Sequence, residues 1–105
     1  MNVPATFGKT VSNARKAREI NQKQLAERIK REDGEPISPQ YLNDIEHDRR
    51  SPSSEVILQI AELLDLDADY LHFLAKKWPE DLSSSDAKPE DVRKLMVAFR
   101  KSVAK

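Results

Sequence analysis

The chain has 105 residues, 38% of them apolar and 34% charged, and its formal net charge is zero. That length allows one domain and little more, and a chain this short buries only about 60–65% of its unfolded surface, so pairing with a second copy would help it. The lack of cysteine excludes a disulfide framework and thiolate chemistry, and fits a reducing cytoplasm. Nowhere do about 18 apolar residues run together, and the opening MNVPATFGK has no apolar signal core, so neither a membrane span nor secretion is expected. Only two glycines are present, too few for a sheet joined by tight turns. Helices are the expectation.

Charge is distributed unevenly. Between Met1 and Arg31 there are eight Lys/Arg against two acids, whereas from Glu32 to Ala75 only Arg49 and Arg50 oppose eleven acids. Such polarisation would make the two regions respond oppositely to a phosphate backbone.

Phe7, Val11, Ala14 and Arg18 recur at helical spacing and predict a first helix from Thr6, its N-cap, to Glu19. Asn21 reads as the next N-cap, with Gln24 placed to complete a capping box. A second helix over 22–30 follows, burying Leu25, Ala26 and Ile29. It either runs one turn further before Gly34 stops it, or gives way to a protruding turn. Pro36 cannot sit inside a helix, and Ser38-Pro39 is the N-cap and N1 signature of a third, which buries Leu42 and Ile45 and ends near Glu46 or His47. Ser53 caps a fourth helix carrying Val56, Ile57, Ile60, Ala61, Leu63 and Leu64. Leu66 plugs the following turn. Asp67 caps a fifth helix whose apolar face is Tyr70, Leu71, Phe73 and Leu74. Trp78-Pro79 closes this unit, and residues 79–88 have loop composition. Pro89-Glu90-Asp91 starts an amphipathic helix over 89–105 with Val92, Leu95, Met96, Phe99 and Val103 on one side. That last helix either folds back over the fourth and fifth, with Trp78 bridging, or pairs with its copy in a second subunit.

Two short helices joined by a break form the helix-turn-helix arrangement. The ordered segments NQKQLAERI, ISPQYLNDIEHDRRSPS and EVILQIAELLDLD resemble the Cro/phage-repressor (XRE) type of helix-turn-helix domain. The resemblance runs from Phe7 to Leu74, and rests on Gln22 opening helix two, the pair Leu25-Ala26, the pair Ile45-Glu46, and the Arg-Ser-Pro-Ser stretch at 50–53. It implies an all-α fold: a five-helix, lambda-repressor-like domain over 7–78, a linker over 79–88, and the C-terminal helix.

The same resemblance implies a DNA-binding transcriptional regulator, most simply a repressor, that binds double-stranded DNA as a homodimer. Helix three would lie in the major groove. Gln40 would face base edges, and a Gln amide suits adenine N6/N7 bidentately. Asn43 could read adenine too, Asp44 can only accept and so suits cytosine N4, and Tyr41 would pack on a thymine methyl or donate to a phosphate. Gln22, Lys23 and Ser38 are expected at phosphates, as are Arg49 and Arg50. Arg15 and Glu46 match a structural ion pair between helices one and three. Two departures stand out. Residues 30–36 lengthen a normally tight turn, and Pro39 replaces a side chain that often reads bases.

His47 and His72 lack partners at metal-ligand spacing, so no metal site is expected, and His72 reads as a packed core residue. There is no phosphate-cradling loop and no nucleophile–base constellation, so neither a cofactor nor an enzyme is expected. Two other classes compete with the regulator: an antitoxin whose C-terminal helix holds a partner protein, and a pure interaction module on this scaffold.

Overall fold

The computed structural model describes residues 5–83 and 86–104; residues 1–4, Ser84 and Ser85 of the expected linker, and Lys105 lie outside them. The described chain forms α1 (Phe7–Ala17), α2 (Gln22–Arg28), α3 (Pro39–Glu46), α4 (Ser54–Leu64), α5 (Ala68–Leu74), α6 (Glu80–Ser83) and α7 (Pro89–Val103). Among the described residues the one β feature is an isolated antiparallel bridge between Lys30 and Pro36.

Each of the first five helices starts on a side chain that accepts a backbone N–H otherwise left without a partner. Thr6, Asn21, Ser38, Ser53 and Asp67 accept from Lys9, Gln24, Tyr41, Val56 and Tyr70 respectively. At α2 the box is reciprocal: Gln24 N donates to Asn21 Oδ1 at 2.8 Å and Asn21 N to Gln24 Oε1 at 2.9 Å. The core is one cluster of aliphatic side chains, with Val11, Leu25, Ile29, Leu42, Ile45, Ile57, Ile60, Leu64 and Leu71 fully buried. α3 packs between α1 and α2, while α4 packs on α1 and α5.

Several local expectations are corrected. Arg18 is exposed, and Arg15 takes the inward place one turn below Val11. α2 stops at Arg28 because Ile29 turns extended to bury its side chain, so the lengthened segment protrudes. There Ile37 N donates to Ile29 O at 2.9 Å and Arg31 N to Glu35 O at 2.8 Å, with Gly34 at φ +86° near the tip. Gln59 of α4 pins the base of this finger, accepting from Lys30 N at 2.7 Å and donating to Lys30 O at 2.9 Å.

On α5 the inward pair is Leu71 and His72, whereas Tyr70 and Phe73 are exposed. His72 is packed and satisfied: its Nδ1 lies 2.8 Å from Ala68 O and its Nε2 2.8 Å from Ser54 Oγ. Part of the segment that reads as linker is helical, as α6.

α7 starts on Pro89 as its N1 signature requires, yet none of its residues is buried. Its apolar side chains Val92, Leu95, Phe99 and Val103 stay exposed. Among them Phe99 meets Phe73 of α5 edge-on, ring centroids 5.7 Å apart. The radius of gyration, 15.4 Å, exceeds the roughly 13 Å of a compact chain this long. α7 therefore stands off the body instead of folding back over α4 and α5, and Trp78 is half-exposed in a shallow cleft with Ser53, Ser54 and Glu80.

Candidate nucleic-acid interface

α3 is an eight-residue rod with two sides. Leu42 and Ile45 anchor it in the core, and Gln40, Tyr41, Asn43 and Asp44 lie on its other sides, Gln40 exposed and the other three half-buried. Pro39 at N1 costs no helical hydrogen bond, because that N–H would have no intrahelical partner anyway.

The rod is held at its C-terminal end by charge. Arg15 Nε donates to Glu46 Oε2 at 2.6 Å and Nη2 to Oε1 at 3.0 Å, a forked pair whose side chains are only 9% and 3% exposed. The remaining terminal nitrogen, Nη1, donates to Ile20 O at 2.8 Å, tying the α1–α2 turn to the same guanidinium. Burial alone would raise the Glu46 carboxyl. Hydrogen bonds from Arg15 and Gln22, the Arg15 charge and a bond from Ser12 together outweigh it and hold the group below its ordinary value.

Two contacts absent from the sequence reading set the angle between α1 and α3. Gly8 N donates to Asp48 Oδ1 at 2.8 Å, so the loop after α3 caps the start of α1. Gly8 itself lies against the end of α3. A Cβ there would sit 2.6 Å from Ile45 O and closer still to Glu46 O. The signal was present, since one of only two glycines falls inside a predicted helix, where glycine is disfavoured unless something must come close.

The expected contact residues fall into two groups around α3. Gln22 is half-buried and turned toward α3, its Nε2 donating to Glu46 Oε1 at 2.9 Å and to Asn43 Oδ1 at 3.1 Å. Lys23 beside it is exposed. At the other side Gln40 Nε2 donates to Asp44 Oδ1 at 3.1 Å, and Arg49 reaches the same oxygen through Nε at 3.1 Å and Nη2 at 3.0 Å. The Arg50 guanidinium lies over the Tyr41 ring, 5.3 Å from its centroid. Ser38 is exposed, its Oγ accepting from Tyr41 N at 3.0 Å. The candidate base readers thus share one rod, flanked by Gln22 and Lys23 on one side and Arg49 and Arg50 on the other. Among the described residues no group of three His, Cys, Asp or Glu is placed to hold a metal ion, and no helix is long and apolar enough to cross a membrane.

A short α2, a break and a rod whose polar side faces out define a helix-turn-helix domain, a DNA-binding class of protein. Comparison with known proteins is specific: residues 11–71, more than half of the chain, match the Helix-turn-helix family. The chain belongs to that family, in its Cro/phage-repressor (XRE) branch, whose members are non-enzymatic DNA-binding regulators. It is 31% identical over 103 residues to the immunity repressor protein of Bacillus phage phi105, a match covering 95% of this chain and 66% of that protein, just under two thirds of its length. Among solved structures it resembles a chain of the SinR protein/SinI protein complex, with TM-score 0.53 and 21% identity, over 92% of this chain and 99% of that one. That likeness is one of fold.

Proposed function

We propose that this protein is a homodimeric transcriptional repressor that binds a palindromic operator through α3. The observation that carries the reading is the position of α3: its apolar side is locked in the core while Gln40, Asn43 and Asp44 project beside Arg49 and Arg50. In the dimer, two such rods would stand about 34–36 Å apart and enter successive major-groove faces. Occupying the operator would exclude polymerase, as the kinship to a phage immunity repressor suggests. Gln40, Asn43 and Tyr41 would face bases, and Gln22, Lys23, Ser38, Arg49 and Arg50 would position the phosphates. Because Gln22 has turned its amide inward, the group it offers a phosphate is its backbone N–H in the first turn of α2.

Gln40→Ala tests the reading of bases. It is expected to cost roughly 1–3 kcal/mol on the operator and to relax preference at one position. Affinity for random duplex should hold. Equal loss on both duplexes would remove Gln40 from the base readers.

The exposed apolar stripe of α7 is the natural dimer seam. Truncation after Pro79 should therefore give monomers in sedimentation and abolish tight operator binding; a dimer of unchanged stability would exclude α7 from the seam. The same stripe favours a second reading, in which α7 binds another protein, as in an antitoxin. A stoichiometric partner displacing the homodimer would decide for it.

A further inference from the structure

We infer that two hydrogen-bond relays, each rooted in a charged pair, fix which amide atoms Asn43 and Gln40 present to the groove, making Gln40 the adenine reader and Asn43 a reader of edges that only accept. The inference rests on the proposed role of α3 and goes beyond it by assigning base identity.

The first relay starts at Arg15. Its guanidinium holds the Glu46 carboxylate by two hydrogen bonds, and a carboxylate can only accept. The atom of Gln22 that faces it must be the nitrogen, as the 2.9 Å contact to Oε1 has it. The second N–H of that nitrogen points to Asn43 at 3.1 Å. Only the oxygen of Asn43 can meet it, because a reversed amide would set donor against donor. Oδ1 of Asn43 is therefore turned toward the protein, and Nδ2, which has no protein partner among the described residues, is the group left for a ligand. A bidentate contact to adenine needs an outward acceptor beside the donor, and this amide has no outward acceptor. What it offers suits guanine O6 and N7 or thymine O4.

The second relay starts at Arg49, which meets Asp44 Oδ1 through two nitrogens. The same oxygen can accept only the nitrogen of Gln40. Oε1 of Gln40 and its remaining N–H are left without partners among the described residues, an acceptor and a donor that match adenine N6 and N7. Asp44 is thereby a positioning residue and not a cytosine reader, its lone pairs being turned to Gln40 and Arg49. Gln22 is likewise a positioning residue for Asn43.

The test is selection of bound duplexes from a random library by the full chain, repeated with Gln22→Leu and Asp44→Ala. Gln40→Ala and Asn43→Ala identify the base positions that each side chain governs. The wild-type protein should prefer adenine at the Gln40 position and guanine or thymine at the Asn43 position. A bidentate amide–adenine pair is worth roughly 5- to 150-fold in preference. Gln22→Leu should raise adenine at the Asn43 position by at least the lower of those factors and leave the Gln40 position alone. Asp44→Ala should lower adenine preference at the Gln40 position by a similar factor and leave the Asn43 position alone. Wild-type preference for adenine at the Asn43 position would overturn the inference, even if either variant failed to fold. So would profiles unchanged by both variants. A wild-type protein that enriches no sequence would instead remove the DNA-reading role of α3 on which the inference stands.

Discussion

Arg15→Met should destabilise the protein by about 3–5 kcal/mol, the usual loss when one partner of a buried ion pair is removed and the other is stranded. A domain of this size has only about 5–15 kcal/mol to lose, so the variant should be partly unfolded at room temperature in modest urea. Surface pairs are worth far less. The difference lies in burial, since the Glu46 side chain keeps 3% of its exposure while that of Asp33, paired with Arg31 on the finger, keeps 58%. Arg15→Met/Glu46→Leu should recover much of the loss, because two packed apolar side chains leave no charge to solvate. A single variant within 1 kcal/mol of wild type in urea unfolding, about the ceiling for an exposed pair, would show that the pair is not buried in solution.

The pH dependence separates this mechanism from simple loss of packing. In the wild-type protein the Glu46 carboxyl is held below its unfolded value of 4.5. Its contribution is thus complete above that value and is lost as pH falls through the lowered folded one. Without Arg15 burial dominates and the carboxyl rises. The stability gap between the two proteins should therefore narrow as pH falls from 7 toward 4. A gap independent of pH would point to packing.

Gly8→Ala is the second large effect. Replacing a helical glycine usually gains up to about 1 kcal/mol, and here that gain is small because Gly8 lies in the first turn. Against it stands a Cβ 2.6 Å from Ile45 O and nearer still to Glu46 O. Both are backbone atoms of α3, with no rotamer to give way, so α1 and α3 must separate. Overpacking of this kind costs about 1–3 kcal/mol. For a domain this long each kcal/mol lowers Tm by about 4–8 °C, and the net drop should be plain in a thermal melt. Operator affinity should fall as well, since the displaced residues include Glu46, which anchors the C-terminal end of α3. A melt at or above the wild-type Tm would mean the two helices are further apart than described.

How far the sequence could be read follows the range of the interactions. Thr6, Asn21, Ser38, Ser53 and Asp67 were all legible as caps, because a cap is settled by a side chain and a backbone N–H three residues away. The core positions of α2, α3 and α4 were legible through their spacing. α5 was harder: with seven residues and Tyr70, Leu71, Phe73 and Leu74 scattered round it, no single stripe stands out, and it took the position of α4 to choose Leu71 and His72. The finger at 30–36 left a choice between longer helix and protruding turn, decided by Ile29 entering the core and by Gln59, a side chain 29 residues away. Kinship pointed to the pairing of Arg15 with Glu46, but nothing local could show that Gln22 turns its amide to Glu46 and Asn43, or that Arg49 is drawn to Asp44. Such orientations depend on which acceptors the fold brings near.

The most direct test of the account is to expose the wild-type protein to a library of random duplexes and sequence what it retains. A palindromic pair of half-sites is expected, with centres one helical turn of 10–10.5 bp apart or a multiple of it. Retention that tracks ionic strength alone, with no base enriched at any position, would contradict the claim that the outward side of α3 reads DNA.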